Sequence, residues 1–157
     1  MDVIKKIMVA VDVSDYSLPS LRYARQLALA IGAKLMVVNV VNERDIRAIQ
    51  NALDTFDPTI SQGHIEDRIN DRREWLDALI HQVDAEKITV SRLVRVGVPY
   101  HELLKAIEDD GPDLLVMGTK GRSNLADTIL GSCARKMFRR SPIPLLSLRP
   151  EKESSGE

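Results

Sequence analysis

The chain has a single cysteine, Cys133, in 157 residues, so it can hold no internal disulfide and no cysteine-rich metal site. Its three histidines, His64, His81 and His101, are scattered, and none has a cysteine or carboxylate partner at a recognisable spacing. They read as surface or helix-face residues. Aromatic residues make up only 4%, and Trp75 has no aromatic neighbours, so it reads as core or edge packing rather than a platform for bases. Net charge is −1, which leaves no overall field favouring nucleic acid or a membrane surface. The apolar run within MDVIKKIMVAVDVS is short and closes on Asp12. It is neither a secretory signal nor a membrane span, and a cytoplasmic protein is the expectation. A full P-loop with its Lys-Ser/Thr pair is missing, as are the His-x-Gly-His and Ser-Gly-Gly-x-Asp-Ser patterns of adenylylating enzymes. Nothing is arranged for fast bond breaking, and no catalytic residue is assigned.

What is present is the composition of a globular domain, 44% apolar and 29% charged. The length suits one domain, read as residues 1–150, and a flexible tail, 151–157, with no apolar anchor. The runs IKKIMVAV (4–11) and KLMVVNVV (34–41) are β-rich and nearly continuously apolar, as in strands covered on both faces. Asn39 interrupts the second run, and either lines a site or is satisfied by backbone. Between the runs, Leu21, Ala24, Leu27, Ala28 and Ile31 share one helix face, with Ser17 the expected N-cap and Gly32 the C′ residue. Such a βαβ unit crosses over right-handedly. Ile46, Ile49 and Leu53 hint at a short helix, broken at Asp57-Pro58. The stripe Ile65, Ile69, Leu76, Leu79, Ile80 and Val83 predicts a helix over about 61–83, with the charges of 66–74, Arg72 among them, as its solvated face. An alternating edge strand (89–96), a short helix (100–109), a buried strand (114–117), a helix (about 132–139) and a last strand (143–148) complete the chain. Strands and helices alternating throughout mean an α/β sheet with helices on both faces.

The organising stretch is 114–148. A buried strand ends at Gly118, Gly121 follows, and Gly131-Ser132 opens a helix. Glycines let backbone approach a ligand closely, and a helix start aims unpaired N–H groups and a positive dipole end at the same spot. That is a phosphate site in outline. Loose Gly-x-x-Gly pairs would arise about 0.4 times in a shuffled chain, but the fixed later Gly-Ser lowers this to about 0.002. The spacing is therefore informative. Cys133 lies beside that helix start, which favours its thiolate, whereas burial as a small hydrophobe would suppress it. Arg135, Lys136, Arg139 and Arg140 complement the dipole's far end.

Gly118-x2-Gly121-x9-Gly131-Ser132, with Met117 before it and 142–148 after it, resembles the ATP-binding signature of the universal stress protein family. The likeness extends over about 5–149. It implies a single doubly wound, Rossmann-like, five-stranded parallel sheet of order 3-2-1-4-5, with a crevice between strands one and four at their carboxyl ends. It also implies that Asp12 and the backbone of Val40, with Val41 next, hold the adenosine. Met117 and Gly118 would form the floor, and Gly121, Gly131, Ser132 and Cys133 would surround the phosphates. Lys120 and Arg122 either reach phosphate oxygens or are solvated loop charges. Ala10-Val11 stands where a Pro-Thr-like pair is common in the family, and Asn39 where His is frequent; neither touches the phosphate motif. The implied ligand is ATP, ADP or AMP, with Mg²⁺ or Mn²⁺ bridging the phosphates. The implied function is that of an ATP-binding regulatory stress-response protein, a homodimer through strand 143–148 with a regulated protein partner. Neither nucleic-acid binding nor membrane insertion is expected. A slow ATPase or phosphate-transfer protein, and a nucleotide-free dimerisation module, are the alternatives.

Overall fold

A computed structural model of the chain describes residues 3–53, 57–83, 87–119 and 131–149. In chain order the elements are β1 (Lys6–Ala10), α1 (Ser17–Ile31), β2 (Lys34–Asn42), α2 (Glu43–Leu53), α3 (Pro58–Gln82), β3 (Val90–Gly97), α4 (Pro99–Asp110), β4 (Leu114–Gly118), α5 (Ser132–Arg140) and β5 (Leu145–Leu148). The strands form one parallel sheet of order β3-β2-β1-β4-β5. The winding reverses at β1, which pairs with β2 on one side and β4 on the other. That reversal opens the sheet's carboxyl end between β1 and β4.

Side chains alternating across β1 explain why its run is apolar throughout. Ile7 and Val9 point to one face, where they pack with Leu21, Ala24 and Ala28 of α1 and Leu76 and Leu79 of α3. Met8 points to the other, against Leu103, Ala106 and Ile107 of α4 and Ala134 and Met137 of α5. All three β1 residues are fully buried. Removing such a side chain from water contributes roughly 1.5–3 kcal/mol. Trp75 is half-buried against the first of these clusters, the packing role its isolation suggested.

Several boundaries differ from the sequence reading, each for a local reason. Ser17 does not cap α1: Tyr16 holds that position without a side-chain cap, and the Ser17 hydroxyl turns back to Asp12 instead. The helix expected from about residue 61 begins at Pro58, because the Asp57 side chain accepts the Thr59 N–H at 2.8 Å and Pro58 suits a first turn. β5 starts at Leu145 rather than residue 143. Pro144 has no N–H to give, although its carbonyl accepts from the Leu115 N–H at 3.0 Å. Gly32, in the left-handed conformation (φ 70°), ends α1 as expected and donates to the Ala28 carbonyl.

Candidate functional site

At the carboxyl end of the sheet lies a cavity of about 490 Å³. Asp12 follows β1 in a tight polar turn that fixes its position. Ser14 Oγ donates to Asp12 Oδ1 at 2.5 Å, and Asp12's own N–H donates to Ser17 Oγ at 3.0 Å. Ser17 Oγ also lies 3.1 Å from that carboxylate oxygen and against the Asp12 carbonyl. The turn expected from the sequence is therefore held by the hydroxyls of Ser14, within it, and Ser17, at the start of α1. They hold the carboxylate at the cavity's edge.

The opposite wall is the start of α5. Gly131 occupies its N-cap position with extended backbone (φ −62°, ψ 160°) and no side-chain cap. Its N–H donates to the Thr119 carbonyl at 2.6 Å, and the Thr119 N–H donates to Leu148 at 2.9 Å. The helix start is thus tied to the ends of β4 and β5. The amides of Ser132, Cys133 and Ala134 have no carbonyl one turn earlier in the helix to accept them. Together with the dipole, they make this wall attractive to an anion.

Of the predicted site residues, Asp12, Val40, Met117, Gly118, Gly131, Ser132 and Cys133 all line the cavity. Val41, the next candidate on β2, is fully buried and lines none of it. Lys120, Gly121 and Arg122 lie outside the described residues, as does the tail 151–157. Cys133 is half-buried, and burial foremost, with the Asp12 charge second, pushes its thiol up to about 11 against a smaller opposing effect of Lys136. Its labelling by iodoacetamide at neutral pH is expected to be slower than that of glutathione, rising only in strong alkali. Fast labelling at neutral pH would contradict this.

Sequence reasoning missed the wall on the β2 side. Asn39 is 1% exposed and its Nδ2 donates to the Val11 carbonyl at 2.8 Å. Its Oδ1 accepts from Arg72 Nη1 at 3.0 Å. Arg72, read as part of α3's solvated face, lines the cavity with Arg44 and Asp45 of α2. The signal was available: Arg72 falls three after Ile69 and four before Leu76, on the inward stripe.

Pro99 and Leu103 of α4 close the cavity from the other face. Between them in sequence, Glu102 is 9% exposed and ties α4 to Arg95 of β3. Arg95 Nε donates to its Oε2 at 2.7 Å and Lys105 Nζ to its Oε1 at 3.3 Å. Gly97 makes room for this carboxylate: its φ is +155°, and a Cβ there would come within 2.8 Å of Glu102 Cγ. Burial alone would raise the Glu102 carboxyl, but the bonds from Arg95 and Lys105 outweigh it and hold it below the ordinary 4.5. A depressed carboxylate contributes stability above its unfolded-state value and loses it as pH falls through the folded-state value. Glu102→Gln is therefore expected to lower stability by about 1–2 kcal/mol near neutrality. The gap in melting temperature from the parent should narrow at an acid pH below the ordinary 4.5. A gap of equal size at both pH values would contradict the ion-pair account.

The model of the universal stress protein family matches residues 4–149. Universal stress protein YxiE of Bacillus subtilis is 30% identical over 147 residues, covering 92% of this chain and 98% of that protein. Universal stress protein MJ0577 of Methanocaldococcus jannaschii is 22% identical over 157 residues, covering 92% and 94%. The solved structure of MJ0577 superposes with a TM-score of 0.81 at 20% identity, over 96% of this chain and 99% of that one. A universal stress protein solved in complex with cAMP has a TM-score of 0.62 at 23% identity, covering 94% and 98%. One from Archaeoglobus fulgidus in complex with dAMP has 0.58 at 17%, covering 93% and 98%. These structures share the fold.

Proposed function

Because this chain belongs to the universal stress protein family, we propose that it is a regulatory protein whose cavity binds an adenine nucleotide, with ATP as the working ligand. One observation carries this reading. Gly118 at the end of β4, and Gly131 and Ser132 at a helix start without a side-chain cap, line the same cavity as Asp12 and Val40. An anionic group at α5 and a nucleoside toward β1 and β2 would fill both ends. The cAMP and dAMP complexes of structurally similar proteins support an adenine nucleotide as the class.

The chain's own groups act in this reading by binding. The amides at α5 and the Ser132 hydroxyl donate to phosphate oxygens, Asp12 accepts from the ribose or base, and Val40 offers backbone groups to the base. Among the described residues no cluster of three or more His, Cys, Asp or Glu converges. Mg²⁺ or Mn²⁺ would accordingly be held chiefly by the phosphates, shielding their charge beside Ser132. Among the described residues no helix is long and apolar enough to cross a membrane.

Homodimer formation through β5 belongs to the same proposal. Among the described residues β5 ends the sheet and pairs with β4 on one side only, so its other edge can receive a second copy. Nucleotide occupancy would then alter the surface a protein partner meets. Calorimetric titration of nucleotide-stripped protein with ATP and Mg²⁺ tests the reading. One site per chain is expected, and no saturable heat with ATP, ADP or AMP would overturn it.

A further inference from the structure

The cavity has two unlike walls. On the α5 side, among the described residues, Gly118, Thr119, Gly131, Ser132, Cys133 and Ala134 bring no charged side chain, only amides, small polar side chains and a helix dipole. On the β2 side, Asp12 and Asp45 stand with Arg44 and Arg72, two charges of each sign. A neutral wall with a positive dipole suits an anion. A wall of balanced charge, rich in donors and acceptors, suits a neutral polar group. The Arg72 guanidinium is also held in place: it donates to Asn39 Oδ1 at 3.0 Å, and Asn39 Nδ2 donates at 2.8 Å to the carbonyl of Val11, the residue before Asp12. Asn39 is 1% exposed, so its bond to Val11 is shielded from water.

Building on the nucleotide reading above, we propose that Arg72 is a recognition residue for the nucleoside end of the ligand, with Asn39 as the residue that positions it. A guanidinium is planar and weakly hydrated, so its face can stack on a purine while its edge stays bonded within the protein. Lysine offers the charge without the plane. The Asn39 tie fixes the rotamer before the ligand arrives, which lowers the ordering cost of binding. The site therefore reads the nucleoside by a cationic plane on one side, in addition to Asp12 and the backbone of Val40. This assigns a ligand contact to α3, an element outside the glycine motif.

The test is calorimetry of the full chain with adenosine, AMP and ATP with Mg²⁺, comparing the parent with Arg72→Lys, Arg72→Met, Asn39→Ala and Gly131→Val. Both Arg72 variants are expected to lose about tenfold in affinity for adenosine and for ATP alike. Asn39→Ala should lose about as much, and Asn39→Ala combined with Arg72→Met little more, because the two residues act as one unit. Gly131→Val should lose ATP while keeping adenosine. Arg72→Met binding all three probes unchanged would overturn the inference and leave the nucleotide reading standing; a lowered melting temperature alone would then mark a structural tie. A loss at Arg72 confined to ATP would also overturn it, by placing phosphates at α3. Parent protein that binds none of the three removes both the inference and the reading beneath it.

Discussion

Gly131→Val is expected to weaken ATP binding by about a hundredfold or more while leaving the fold and its melting temperature nearly unchanged. The backbone at Gly131 is extended (φ −62°, ψ 160°), a conformation that valine adopts readily. Glycine is therefore not required there by its dihedrals. What it supplies is the absence of a Cβ in front of the first amides of α5. Valine methyls would stand where phosphate oxygens approach, and about two charge-assisted hydrogen bonds would be lost. At about 1.5 kcal/mol each, these correspond to roughly a hundredfold in affinity. Gly118→Val, at the end of β4, should act in the same direction. Calorimetry with ATP, beside thermal unfolding of the same samples, separates this from the competing reading of Gly131 as a packing glycine. That reading predicts a lower melting temperature and an unchanged affinity.

If the chain pairs through β5 as proposed, Leu146→Lys is expected to leave it monomeric. β5 is the end strand, and Leu146 lies opposite Val116 of β4 and is half-buried within one chain. A two-fold interface places the same residue on both sides, so one substitution introduces two ammonium groups into an apolar seam. Desolvating them without partners costs several kcal/mol, enough to weaken association by more than about a hundredfold. Light scattering at micromolar concentration should give twice the chain mass for the parent and the single-chain mass for the variant, with circular dichroism confirming that the variant folds. A monomeric parent, or a dimeric variant, would contradict the β5 seam.

The legible parts of this molecule were those written in short-range pattern. The apolar runs at 4–11, 34–41 and 114–117 are strands because both faces of the sheet are covered, so neither face of the strand can be polar. Strand order is a different kind of information. Nothing in the runs says which strand β1 pairs with, and the order followed from the resemblance, which the sheet bears out. The misses were competitions between local preferences. Ser17 has the residue type of a cap, but the Asp12 turn claims its hydroxyl. Pro144 shortens a strand that its apolar neighbours would have extended. Arg72 was hidden by its own charge: on a helix crowded with acids and bases it reads as solvated, although its spacing from Ile69 and Leu76 places it on the buried side. Asn39 explains the exception, since a buried amide with one bond to Val11 still has an oxygen to satisfy. At Cys133, burial and the Asp12 charge raise the thiol, and neither can be read from the sequence pattern around it.

The central claim is that phosphates sit on the first amides of α5, and backbone NMR of the ¹⁵N-labelled protein tests it most directly. Titration with ATP and Mg²⁺ should move the amide resonances of Ser132, Cys133 and Ala134 strongly, whereas adenosine should leave them near their starting positions. Both ligands should shift residues around Asp12 and Val40 to a similar extent. Resonances at the start of α5 that stay in place with ATP, or that move equally with adenosine, would contradict the account.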